Sequence, residues 1–324
     1  MRALALAVLF LITWLGEPAI SRAETWPSRP IKLIVASGPG LATDIMARML
    51  AERLSPRLGQ TIYVENMAGA AGIVGTLAAA RSAPDGYTLY FGSGAVLSLN
   101  TYIYKAAQYD PLRDFVPIAM VCDQGPFVVS VQPDLPIKTL PDLIAYAKAH
   151  PGTMSYAADT SSTNQVMIGQ LIGKRANIDW TLVPYKSTAQ MLQDTAAGVV
   201  QAVISSVPAV YAFASSGRLR MIAISSDKRF PGLDDIAPIA ETLPNFNFNG
   251  WFAMVGPVGL PPEIIERLNK EIGVVMADPE LLAKLRTLGL SSSGAGTPQS
   301  TGAFIQSEQR RWATLVKELN IQPQ

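Results

Sequence analysis

Two glycine-rich turns carry the clearest chemical signal in this sequence. The first is Ser37-Gly38-Pro39-Gly40-Leu41-Ala42-Thr43-Asp44, set between an apolar run and an amphipathic stretch; the second, Gly69-Ala70-Ala71-Gly72, opens another apolar stretch. Each reads as a strand-to-helix turn. A helix start presents unpaired backbone N–H groups and a partial positive charge of about +0.5, and small residues let an anion approach it closely. Two such turns on one sheet edge would suit a carboxylate. The same glycines would serve equally well for tight turns and close packing.

Other chemistries find little support. Gly38-Pro39-Gly40, followed later by Glu65, imitates a dinucleotide fingerprint. Thr43 stands where the third glycine belongs, however, and Pro39 offers no N–H to a pyrophosphate. Gly92-Ser93-Gly94 is not the Gly-x-Ser-x-Gly elbow of hydrolases. Gly173-Lys174 lacks the upstream glycine of a phosphate loop. Cys122 and His150 are each the sole residue of their type, so neither an internal disulfide nor a zinc cluster is expected. No metal, cofactor or catalytic residue is expected. With 26 basic and 25 acidic residues dispersed along the chain, nothing suggests nucleic-acid binding. His150 reads as a cation at a helix end and Cys122 as a small core residue.

The elements that would hold the turns alternate strand and helix. Apolar β-branched runs at Ile31–Val35, Thr61–Val64 and Tyr87–Phe91 enclose helical periodicities over Thr43–Leu54 and Ile73–Arg81. This pattern predicts parallel βαβ units. Further strands are expected at Phe127–Val131, Ser155–Ala157, Thr181–Val183, Ala202–Ile204, Met221–Ser225 and Trp251–Val255. Helices are expected between them, and after the last strand the chain reads as helical. At 324 residues, two domains are the natural expectation. The boundary is drawn so that 24–123 and 249–324 form a discontinuous first lobe and 124–248 the second.

The N-terminus reads as an export signal. Met1-Arg2 precedes an apolar run of about 14 residues, shorter than the ~20 that span a bilayer. Ser21-Arg22-Ala23 offers small residues at a cleavage site. Residues 1–23 are expected to be removed after Ala23, leaving the protein in the periplasm.

An ordered set of segments then resembles one family, the Bug-type receptors of tripartite tricarboxylate transporters. Trp26-Pro27-Ser28-Arg29-Pro30-Ile31, Thr43-Asp44-Ile45 with Ala47-Arg48, and Val64-Glu65-Asn66 before Gly69–Thr76 carry the likeness first. Ala83–Leu89, Tyr109-Asp110-Pro111-Leu112, Val183-Pro184-Tyr185-Lys186, Gly217-Arg218-Leu219-Arg220 and Trp251-Phe252 continue it. The resemblance implies an α/β, two-lobed, flytrap-like periplasmic-binding-protein fold with a mainly parallel sheet in each lobe. It implies a monomer that closes by a hinge on a small carboxylate and hands it to membrane permease subunits; an exported sensor presenting its closed state to a signalling partner is the alternative. Carried over by position, the ligand-binding residues would be Ser37, Gly40, Leu41, Thr43, Asp44, Ala70, Ala71, Gly72 and Ser93 from the first lobe. Thr160, Ser162 and Ser205 would come from the second. Asp44 reads equally as a dipole-favoured structural residue. Gly72→Asp is expected to abolish binding in a folded protein. Ser205 stands where family members that bind amino acids place an acid, so the expected ligand is a di- or monocarboxylic acid without an amine, acids with a bulky or aromatic middle included.

Overall fold

The computed structural model describes residues 26–159, 163–318 and 321–323. The export signal therefore lies outside the described residues, as do Thr160 and Ser162. Three parallel strands form the first half of the sheet: β1 (Ile31–Val35) lies between β2 (Ile62–Asn66) and β3 (Thr88–Ser93). Between them run α1 (Ala42–Leu58) and the short α2 (Ile73–Ala80). β1 is almost wholly buried because helices cover both faces of a parallel sheet, which is why its sequence is a continuous apolar run.

After β3 a single π turn over Ala95–Leu99 runs into one helical turn, α3 (Asn100–Ile103). Then comes β4 (Phe115–Val131), a strand of 17 residues that belongs to both halves of the molecule. Its first part pairs antiparallel with the late strand β9 (Asn249–Pro257); its last five residues pair with β7 (Ala202–Ser206) and β8 (Arg220–Ile224). The second half also contains α4 (Leu140–Ala149), β5 (Met154–Asp159), α5 (Thr163–Ala176), β6 (Trp180–Tyr185), α6 (Thr188–Ala196), α7 (Val207–Ser215) and α8 (Ile239–Thr242). The strand order β2-β1-β3-β9 on one side is matched by β6-β5-β7-β4 on the other. Three strands in each half are parallel, and the sheet becomes mixed where the shared strands run antiparallel. Hydrophobic clusters cover both faces of each half.

The halves meet where Gly125 of β4 faces Gly250 of β9. A Cβ on Gly125 would come within 2.9 Å of Leu290, and one on Gly250 within 3.1 Å of the Gly125 carbonyl, so the close approach depends on bare backbone. The chain then continues through α9 (Pro262–Met276), α10 (Pro279–Thr287) and α11 (Pro298–Glu318). α11 braces the junction. Glu308 accepts from the Trp251 indole at 3.3 Å, Arg311 donates to the Asn247 carbonyl at 3.0 Å, and Trp312 packs on Phe248.

The strands expected in both halves are present. The strand expected at Phe127–Val131 is the end of the much longer β4, and the turns at Ala95–Ile103 have no counterpart among the expected elements. Among the described residues no helix is long and apolar enough to cross a membrane.

Candidate functional site

A cavity opens between the two halves, beside the crossing strands. Its first wall comes from Ala36, Ser37, Leu41, Ala42, Thr43, Ser93 and the Gly94–Val96 turn; its second comes from Asn164, Gln165 and Ser206. Tyr90, Phe91, Phe127, Phe252 and Leu290 add an apolar floor, with Gly125 and Gly250 at the junction. Among the described residues lining it, none is an Asp, Glu, Lys, Arg or His. Any charge placed there would be met by dipoles and hydroxyls alone.

α1 begins at this cavity without a side-chain cap, since Leu41 holds the N-cap position. The first N–H groups of a helix have no partner within it, so the wall formed by Leu41–Thr43 is a ready donor surface. The loop before it is held by Asp44, which is 4% exposed. Asp44 accepts from the Gly40 N–H (2.9 Å), from Arg48 Nε (2.9 Å) and from Asn66 Nδ2 (2.9 Å). Asn66 Nδ2 also donates to the Ser37 carbonyl at 3.1 Å. Asp44 does not line the cavity; it shapes the loop that does.

The second glycine turn sits one layer further back. Ala70, Ala71 and Gly72 have φ of 45°, 54° and 87°, a left-handed sequence that strains the two alanines. None of the three lines the cavity, and Ala70 is exposed. A Cβ on Gly72 would lie 2.8 Å from Val96 Cγ1 and 2.9 Å from the Ala36 carbonyl, both residues of the cavity wall. Gly72→Asp would therefore disturb the packing behind the wall, which corrects the expectation that it would act through charge in an intact fold. Thr76 donates to the Gly72 carbonyl at 2.8 Å and bonds the Tyr90 hydroxyl at 2.7 Å. Burial raises the Tyr90 pKa well above its ordinary value, so the phenol stays neutral.

Ser37, Leu41, Thr43 and Ser93 are brought together at the cavity; Gly40 supports the loop from outside it. Ser205 is fully buried but is not a lining residue; its strand neighbour Ser206 is. Gln165 and Ser206 went unrecognised in the sequence, as did the apolar floor. Four polar atoms of the wall are buried and lack a protein partner: Ser37 Oγ, Asn164 Oδ1, Gln165 Nε2 and Ser206 Oγ. Buried polar atoms are nearly always paired; these four belong to residues lining one cavity, while Trp26, Asp123, Ser130, Ser205 and Asn249 carry others elsewhere. Elsewhere, Cys122 is buried and its thiol is pushed up to about 12 by burial, which suits a core residue. His150 hydrogen-bonds Tyr146 at the end of α4.

Known proteins resemble the chain along most of its length. The tripartite tricarboxylate transporter family receptor matches residues 46–321. Protein BugT of Bordetella pertussis (strain Tohama I) is 37% identical over 321 residues, covering 98% of this chain and 97% of its own. The solved structure of R. palustris Rpa4515 with adipate superposes with a TM-score of 0.87 at 32% identity, over 92% of this chain and 100% of that one. MatC (Rpa3494) from Rhodopseudomonas palustris with bound malate gives 0.82 at 25% identity, over 90% and 100%.

Proposed function

The chain belongs to the tripartite tricarboxylate transporter receptor family, whose members are solute-binding receptors and not enzymes, and from that premise we propose that it captures a small organic carboxylate between its lobes for delivery to a permease of that transporter type. The observation that carries the reading is the set of unpaired buried polar atoms on Ser37, Asn164, Gln165 and Ser206, residues that line the cavity from both halves. A carboxylate bound there satisfies atoms from both walls at once, so its binding energy favours the closed state that a permease would recognise. Rpa4515 with adipate and MatC with malate, both similar to this chain, support the ligand class.

The ligand carries no amine. No acidic side chain lines the described wall, and a buried ammonium without a counter-charge costs several kcal/mol. The proposed domain limits at 123/124 and 248/249 lie beside the Gly125–Gly250 crossing, and the close backbone approach there supports a hinge at that point. The protein is exported, with cleavage after Ala23, and acts in the periplasm as a monomer.

A thermal-shift screen of mono-, di- and tricarboxylates tests the ligand class. A true ligand at 100 times its Kd adds about 2.7 kcal/mol, and a screen in which no acid shifts the protein would refute the reading. N-terminal sequencing of the periplasmic protein tests export; intact Met1 would count against it.

A further inference from the structure

We propose that Gln165 is the residue that selects a second oxygen function on the ligand, so that the receptor takes short-chain dicarboxylates in preference to monocarboxylates of equal length. The inference rests on the carboxylate-receptor reading above and concerns which carboxylates the site accepts.

Gln165 lies in the first turn of α5, is fully buried and lines the cavity on the wall opposite Ser37 and the start of α1. Its Oε1 accepts the backbone N–H of Asp159 at 2.8 Å. A backbone N–H can only donate, so the end of the amide facing Asp159 must be the oxygen. That bond fixes Nε2 on the other side, where it has no protein partner. The side chain is thus a donor held in place before the ligand arrives. Asp159 is itself 1% exposed and accepts from Thr188 Oγ1 at 2.9 Å, so the anchor of the amide is rigid too.

A pinned N–H donor discriminates by what it meets. A carboxylate or carbonyl oxygen accepts from it. A methyl end leaves Nε2 unpaired in a dry site, and an ammonium, which only donates, faces it unfavourably. Ser206 Oγ stands on the same wall and can donate beside it. The first-lobe wall supplies its own donors at the start of α1, so one oxygen group is met on each side, with Phe91, Phe127 and Phe252 beneath the chain between them. That arrangement describes a dicarboxylate.

The decisive variant is Gln165→Glu. Its carboxylate keeps an oxygen for the Asp159 N–H and matches the amide in shape, but turns the donor into an acceptor. Succinate, glutarate and adipate are titrated calorimetrically against butyrate, pentanoate and hexanoate, on wild type, Gln165→Glu and Gln165→Leu, with circular dichroism confirming the fold. Wild type is expected to prefer at least one dicarboxylate by about tenfold or more over its monocarboxylate, the scale of a charge-assisted hydrogen bond. Gln165→Glu should lose that preference, its dicarboxylate affinity falling more than its monocarboxylate affinity, and Gln165→Leu, which removes the donor without adding a charge, should lose it in the same way. If wild type prefers a dicarboxylate and folded Gln165→Glu keeps the preference, Gln165 is not the selector and the carboxylate reading stands. If wild type binds the monocarboxylates as well as the dicarboxylates, no second oxygen is recognised and the proposal falls. If wild type binds none of the six acids, the carboxylate reading fails with it.

Discussion

Thr163 Oγ1 donates a hydrogen bond to Asn100 Oδ1 at 3.0 Å, joining the start of α5 in one half of the molecule to α3 in the other. Both residues are buried, and Asn100 Nδ2 donates in turn to the Ala71 carbonyl at 2.7 Å. The strained second glycine turn is therefore tied through one asparagine to the helix that carries Asn164 and Gln165. In the closed state proposed above each depends on the other, and opening would solvate them.

Thr163→Val keeps the shape and removes the donor, leaving Asn100 Oδ1 buried without a partner. That costs about 1–3 kcal/mol in the closed form alone. The ligand should leave faster by about fivefold or more, with an association rate close to wild type. Stopped-flow displacement measures both, and an unchanged off-rate would mean that the bond is incidental to closure.

Asp44 tests the first loop. Asp44→Ala strips an acceptor from the Gly40 N–H, Arg48 and Asn66 together. With Asp44 nearly buried, stability should fall by about 1–3 kcal/mol, and carboxylate affinity should fall with it because Ser37 and Leu41 lose their fixed positions. Asp44→Asn, which keeps one acceptor, should sit between the two. Chemical denaturation and calorimetry on the three proteins give the order.

Most of the fold was legible because β1, β2 and β3 announce themselves as apolar runs bounded by glycine turns, and parallel strands require the helices between them. The glycine turn at Ser37–Gly40 was legible for the same reason, since a strand-to-helix turn always aims a helix start at the sheet edge. The second wall was not. Whether Ser205 or Ser206 faces the cavity depends on pairing register, because adjacent strand residues point to opposite faces. Val128 faces Ser205 and Phe127 faces Ser206 across the ladder, a pairing made with residues some eighty positions away. Gln165 carries no local signal at all; its meaning comes from the Asp159 N–H that holds it. Asp44 illustrates the opposite case. A dipole-favoured acid at a helix start was visible, and the contacts show it serving the loop.

Gly72 should prove structural. Gly72→Ala puts a methyl group within 3 Å of Val96 and the Ala36 carbonyl on a backbone with φ of 87°. Both the strain and the overlap are penalties. The expected result is a loss of about 1–3 kcal/mol in stability, accompanied by weaker ligand binding as Val96 and Ala36 shift. Unaltered stability with lost binding would restore a direct role for this turn.

Alkaline pH should destabilise the protein through its buried weak acids. Burial raises the pKa of Cys122, Tyr90 and Tyr109 in the fold. A group whose folded pKa is raised gives stability that is complete below its unfolded value and lost as pH climbs through the folded one. For Cys122 that window runs from the ordinary 9.0 to about 12. The unfolding midpoint should therefore drop steadily above about pH 9. The thiol should also resist a disulfide reagent at pH 8 until denaturant is added; prompt labelling of the native protein would contradict its burial.

The last prediction separates the two adjacent serines. Both hydroxyls are buried and unpaired, but Ser206 lines the cavity, whereas Ser205 lies on the opposite side of the strand and lines no part of it. Ser206→Ala removes a hydroxyl that has no protein partner, so the ligand-free protein should be as stable as wild type or slightly more so. Its affinity for the carboxylate should fall by about threefold to tenfold, the scale of one hydrogen bond. Ser205→Ala should leave affinity unchanged. Converting each to aspartate sharpens the contrast, because a carboxylate at the cavity wall could pair with an amine. Wild type should bind succinate at least about tenfold more tightly than aspartate, since roughly 1.4 kcal/mol separates them per decade and an unpaired buried ammonium costs more than that. Ser206→Asp should narrow or reverse this preference, and Ser205→Asp should instead destabilise the fold by burying an unpaired charge. Calorimetry with the two ligands on the four variants and wild type decides it. A wild-type protein that prefers aspartate to succinate would show that the amine has another partner in the wall.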